Sequence, residues 1–165
     1  MKIPVHGLYV TAGATQLLIP NAAAVLGSAG LGDPGFVAMS PDGQGDLSIV
    51  PAAATGRLTL HPGRYLIGYN LSVETDTVGG TSGDAAGVIA GEVRVGGTLI
   101  AGSKGKDYIG TADQPLVLSG QAIVQITPAQ LAAATNYAQI YLSSGDASGN
   151  DATVKEGQFW AIRLD

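Results

Sequence analysis

Apolar and polar side chains alternate most cleanly between residues 64 and 73. Tyr65, Ile67, Tyr69, Leu71 and Val73 fall on one parity, with Arg64, Gly68, Asn70 and Ser72 on the other and Leu66 as the exception. A period of two held over this length predicts a strand with one face in a core, and it places Tyr65 inside. The same punctuation recurs along the chain. Short strands are predicted at 15–19, 36–39, 47–50 and 57–60, the first and third stopped by Pro20 and Pro51. Val88 to Val95 alternates again and meets Gly96-Gly97, a two-residue hairpin turn leading into 98–100. Residues 116–118 and 122–126 read as two strands broken at Ser119-Gly120-Gln121, and 137–143 and 158–164 close the set. In the closing strand Trp160, Ile162 and Leu164 share one face and Phe159 lies opposite. One helix of about two turns is predicted from Thr127, with Pro128 at its first position and Gln130 three after the cap. The stretches 74–87, 103–114 and 144–151 read as polar loops.

The leading segment reads differently. Asn21 to Gly35 has no period and many glycines, so residues 1–35 are expected to form one strand and an extended arm, followed by a single domain over 36–165. The arm either ends as a mobile terminus or lies on a neighbour. Its large apolar side chains, Leu8, Tyr9, Val25, Leu26 and Leu31, are the residues expected to touch that neighbour. The core is not expected to need it.

Composition supports a β chain and removes several function classes. The 165 residues include 25 glycines and 8 prolines, a content suited to many short strands joined by tight turns. With no cysteine, thiol catalysis, disulfides and thiolate zinc sites are excluded. Eight cations against thirteen acids give a net charge of −5, and scattered as they are they form no nucleic-acid groove. No stretch approaches a membrane span, and the start, Met1 to His6, makes a poor signal peptide. Synthesis in a cytoplasm is therefore expected.

The turns and strands between residues 45 and 165 resemble the jelly roll shared by tumour necrosis factor and the complement globular heads. The motifs are Leu47 to Val50, Gly56-Arg57-Leu58-Thr59-Leu60 and Pro62-Gly63-Arg64-Tyr65, then the hairpin from Val93 to Ile100. Leu116 to Val124, with Gln121 where the family has Asp, and the closing Gly157 to Leu164 complete the pattern. The resemblance implies an all-β fold: a two-sheet antiparallel jelly-roll sandwich assembling as a trimer around a three-fold axis. The helix at Thr127 and the leading residues are additions to that pattern. An isolated head of this kind resembles the auxiliary proteins that decorate bacteriophage capsids.

The remaining polar residues offer little for catalysis. Gly30 to Gly35 matches G-x-G-x-x-G by letter, but it leads into a strand with Pro34 where a helix should start, so no dinucleotide site is expected. The chain holds two histidines, His6 and His61, and lacks a G-x-S-x-G elbow, so no hydrolytic triad is expected. Glu74, Asp76, Asp84, Glu92 and Asp107 are mostly loop acids, with Glu92 on a strand. Asp42 to Asp46 and Asp146 to Asp151 carry oxygen ligands at short spacing but fit no twelve-residue calcium loop. The sequon Asn70-Leu71-Ser72 lies inside a strand and is expected to stay unmodified.

What remains is surface. Tyr137 and Tyr141 lie opposite Ala138, Ile140 and Leu142, and with Phe159 they are the expected trimer contacts, unless the arm covers them. The expected protein is thus a non-enzymatic homotrimer without cofactor or bound metal, free of nucleic acid and membrane. It would be a capsid decoration or cement protein on the virion surface, clamping the major capsid protein of a phage head. The alternative is a glycan- or receptor-binding head of a phage fibre or bacterial adhesin, using the loops at 74–87 and 144–151.

Overall fold

The computed structural model describes residues 5–10, 14–17, 24–25, 36–39, 48–52, 55–75, 87–109, 115–144 and 151–165. The first four segments are strands: β1 (Val5–Val10), β2 (Ala14–Leu17), β3 (Ala24–Val25) and β4 (Phe36–Met39). Nine strands follow: β5 (Ile49–Ala52), β6 (Arg57–Leu60), β7 (Gly63–Thr75), β8 (Gly87–Val95), β9 (Thr98–Leu99), β10 (Gly105–Ile109), β11 (Pro115–Ile126), β12 (Tyr137–Ser144) and β13 (Asp151–Arg163). The helix α1 spans Pro128–Ala132.

Two antiparallel sheets face each other. The first runs β11-β7-β13-β1-β4, with β2 beside β13; the second runs β10-β8-β12-β6-β5, with β3 beside β12 and β9 beside β8. The expected jelly-roll sandwich is what forms. Its core lies between the sheets, and the odd residues of β7, from Tyr65 to Val73, are all buried there. The Tyr65 hydroxyl donates to the carbonyls of His61 and Ser48, so a large apolar side chain enters the core without orphaning its polar tip. Leu58, Leu60, Ile140 and Leu142 meet it from the second sheet.

Local chemistry accounts for the turns. Gly96 and Gly97 have φ of 55° and 83°, the left-handed pair that a two-residue hairpin needs, and Val95 pairs with Thr98 across it. At α1 the Thr127 hydroxyl accepts from Gln130 N–H while the Gln130 side chain accepts from Thr127 N–H, a complete capping box. Its far end closes with Ala134 N–H donating to Leu131 and Thr135 N–H to Gln130. Ala134 sits at φ 54°, where glycine is usual.

Four expectations are corrected. The leading segment is not simply an arm outside the sandwich: β1 lies between β13 and β4 and pairs with β13 from Val5↔Ile162 to Val10↔Gly157, so removing residues 1–12 would take a strand out of the first sheet. Leu8 and Tyr9 lie in β1 and Val25 in β3, while Leu26 and Leu31 fall outside the described residues. The stretch 103–114 contains a strand, β10, rather than only a loop; Lys106 and Asp107 are the exposed charges of an edge strand, which reads as loop in sequence. The break at Ser119-Gly120-Gln121 does not exist, because β11 pairs with β7 without interruption from Pro115 to Ile126.

The fourth correction concerns Phe159. It points into the core, 0% exposed, and is no trimer contact; Trp160 and Ile162 take the outer face. A bulge between Val154 and Glu156 shifts the register of β13 against β7 by one residue, so Val154 and Phe159 are both buried although their parities differ. Across the strands Phe159 stands opposite Tyr69, an aromatic pair within the core.

Candidate interaction surfaces

Tyr69 of the first sheet bonds directly to the second. Its hydroxyl donates to the Gly91 carbonyl of β8 and accepts from Gly105 N–H of β10 at 3.0 Å. Burial pushes this hydroxyl above its ordinary pKa; the Gly105 N–H works against that shift, and the Glu92 carboxylate adds to it. A Cβ on Gly120 would strike the Ser103 carbonyl, and one on Gly105 the Ser119 carbonyl. Gly120 therefore serves backbone approach between β11 and the segment before β10, the reason a strand carries glycine there.

The outer faces of the two sheets differ. On the second, Glu92 is buried although it points away from the core; its side chain is 6% exposed. Arg94 reaches it at 2.6 Å and Lys104 at 3.8 Å. The Arg94 guanidinium stacks 4.4 Å from the Tyr141 ring centre, and Arg57 stacks 4.1 Å from that of Tyr137. Gln139 donates to the Thr55 carbonyl at 3.0 Å. The tyrosines expected to contact a neighbouring subunit do lie on an outer face, but each is half-buried beneath an arginine of its own chain. They are on the opposite sheet from Phe159, so the three candidates form no single patch. The exposed apolar residues of this sheet, Val50, Val88 and Leu99, are not paired with one another.

The first sheet presents a face of another kind. In register across three strands stand Ile123, Leu66 and Ile162, with Ile123 55% exposed. The next row is Gln121, Gly68 and Trp160; then come Ser119, Asn70 and Gln158, and beyond them Val117, Ser72 and Glu156. Trp160 covers Gly68, where a Cβ would lie only 2.9 Å from two atoms of the indole ring. Asn70 of the sequon is exposed on this face, within a strand paired on both sides. The Asp42–Asp46 stretch and residues 146–150 lie outside the described residues, as do Asp76 and Asp84. At the foot of the sheet, the Arg64 N–H and the Arg163 guanidinium hold the Asp165 carboxyl below the usual carboxylate range.

Among solved structures, the chain is similar to Eiger TNF from S. frugiperda, with a TM-score of 0.57 and 9% identity over 98% of this chain and 94% of that one. It is also similar to murine APRIL, with a TM-score of 0.51 and 8% identity over 96% of this chain and 99% of that one. The fold is a TNF-like jelly roll. No family model and no curated protein sequence matches the chain. At such identities the likeness concerns the fold, and the TNF-like frame places both outer faces without assigning either a partner.

Proposed function

We propose that the protein is a non-enzymatic structural subunit that assembles as a homotrimer through the outer face of its first sheet. The observation that carries this reading is the cross-strand row Ile123–Leu66–Ile162 on that face. Aliphatic side chains in register make a continuous apolar strip, and burying it gives about 25 cal/mol per Å² removed from water. Cyclic association of three copies gives such a strip a closed partner. The TNF-like fold supports the same assembly. In the fuller reading the trimer is a capsid decoration protein on a phage virion, with the major capsid protein as its second partner.

Light scattering tests the assembly. Three chains of 16.5 kDa should give about 50 kDa. Leu66→Asp should give monomers with unchanged circular dichroism, because Leu66 lies outside the core. A monomeric native protein at micromolar concentration overturns the reading. Sedimentation with empty phage capsids tests the second partner, and a trimer that stays in the supernatant removes the decoration role.

A further inference from the structure

On the outer face of the second sheet, one charge is answered only by a ring. Arg94 and Lys104 share Glu92, whereas Arg57 forms no ion pair and no hydrogen bond among the described residues. Its guanidinium lies 4.1 Å from the Tyr137 ring centre. The Nε–H is buried without an acceptor, and the two terminal nitrogens, equally unbonded, reach solvent. Such a stack uses the flat face of a guanidinium and leaves the N–H donors at its edge unengaged.

The surroundings add a field. The strands of the second sheet and the turn before β10 hold four of the chain's eight cations, Arg57, Arg94, Lys104 and Lys106, and two of its thirteen acids, Glu92 and Asp107. The rest of the chain holds four cations and eleven acids. A protein of net charge −5 thus carries a positive face. Beside Arg57 that face is also apolar. Val50 pairs with Thr59 and Thr59 with Tyr137, one diagonal step from the pair Ala52↔Arg57, and Val50 is 46% exposed.

We propose that this patch docks an acidic segment of a partner protein, with a carboxylate on the terminal nitrogens of Arg57 and an apolar side chain against Val50 and Tyr137. A planar guanidinium takes a carboxylate through two parallel hydrogen bonds. The ring beneath Arg57 holds the guanidinium in place beforehand, so less freedom is lost when the carboxylate arrives. Arginine and tyrosine are also the residue types that concentrate binding free energy at interfaces. Because the carboxylate meets unbonded nitrogens, no contact within the chain has to be replaced, and in this Arg57 differs from the rest of its face. Charge favours a short acidic segment over nucleic acid: a long polyanion would also meet the eleven acids elsewhere on the chain. The patch lies on the sheet opposite the row Ile123–Leu66–Ile162, so it does not rest on the trimer.

The probe is a fluorescein-labelled peptide, Gly-Ser-Leu-Glu-Val-Asp-Leu-Ser-Gly with blocked ends, titrated with the native protein and read by anisotropy. Its counterpart with Gln and Asn in place of the acids, and a short oligothymidylate, are the controls. Saturable binding in about the 0.1–1 mM range is expected for the acidic peptide alone. Raising salt from about 50 to about 500 mM should weaken it roughly fivefold. Arg57→Gln should weaken it about tenfold, with native circular dichroism and native mass. Lys106→Gln removes the same formal charge from the edge strand β10 and should weaken it by about twofold or less. Ile123→Ser should bind the peptide as the native protein does, whatever its mass. The proposal is overturned by no saturable binding, by equal binding of the amide peptide or by binding of the oligonucleotide alone. Native affinity in Arg57→Gln, an equal loss in Lys106→Gln, or loss of binding in Ile123→Ser also overturns it. If Arg57→Gln does not fold, the salt series on the native protein decides, and salt-insensitive binding overturns the proposal.

Discussion

The two outer faces of this sandwich start from the same strand pattern and end differently. On the second sheet the outward residues bond to one another: Glu92 to Arg94 and Lys104, Arg94 over Tyr141, Arg57 over Tyr137, Gln139 to Thr55. On the first sheet they do not; three aliphatic side chains line up in register, and the amides beyond them are unbonded among the described residues. A face whose charges and aromatics are already paired gains little from a partner, since any partner must first replace those contacts. A face of unpaired amides and aliphatics has interaction free energy still to be realised. Aromatic residues on an outward parity are therefore a weaker sign of an interface than they look in sequence, where the arginine above each ring is invisible.

The comparison presumes one interior shared by both faces, and Tyr65 tests that with the largest effect. Tyr65→Ala removes a fully buried ring and its bonds to His61 and Ser48, and should cost about 3–5 kcal/mol in denaturant unfolding. A loss below about 1 kcal/mol would mean the inward parity of β7 is wrong.

Next comes the internally paired face. Glu92→Gln leaves Arg94 and Lys104 beside a buried neutral amide and should cost about 1–3 kcal/mol, less than a wholly buried pair because both cations reach solvent. The same variant should keep the native mass in light scattering. Dissociation on this substitution would show that the second face holds the subunits together, and the contrast would fail.

The open face gives a smaller stability effect and a larger assembly effect. Ile123→Ser should change unfolding free energy by about 0.5 kcal/mol or less in the isolated chain, since Ile123 is mostly exposed. It should nonetheless shift the mass toward monomer. Tyr141→Ser is its counterpart on the other sheet: it loses the Arg94 stack, costs about 0.5–1 kcal/mol and leaves assembly alone.

The smallest effect lies at Asp165. Its folded pKa is depressed, so its contribution to stability is present above the ordinary carboxylate pKa and is lost as pH falls through the lower folded value. Asp165→Asn should therefore leave the melting temperature unchanged in strong acid and lower it slightly at neutral pH. An equal shift at both pH values would place the effect outside the carboxylate's bonds to Arg64 and Arg163.

Local sequence pattern determined much of this protein. It placed β7 and its inward tyrosines, the Gly96-Gly97 hairpin and the capped helix, because each is set by residues near one another in the chain. Side-chain period and turn chemistry are local properties. The sandwich class followed from the same signals. Phe159 was not legible in this way, because Phe159-Trp160-Ala161-Ile162 is apolar on both parities and only the bulge after Val154 decides which enters. Nor was Gly120, which reads as a break until Ser103 and Tyr69 are seen against it. The strand β10 hid behind the charges of an edge, and β1 behind a glycine that pairs on both sides. The difference between the two outer faces belongs wholly to tertiary structure. Arg57 and Tyr137 lie far apart in the chain, as do Leu66 and Ile162, and only strand order brings the first pair together as a finished contact and leaves the second as an open one.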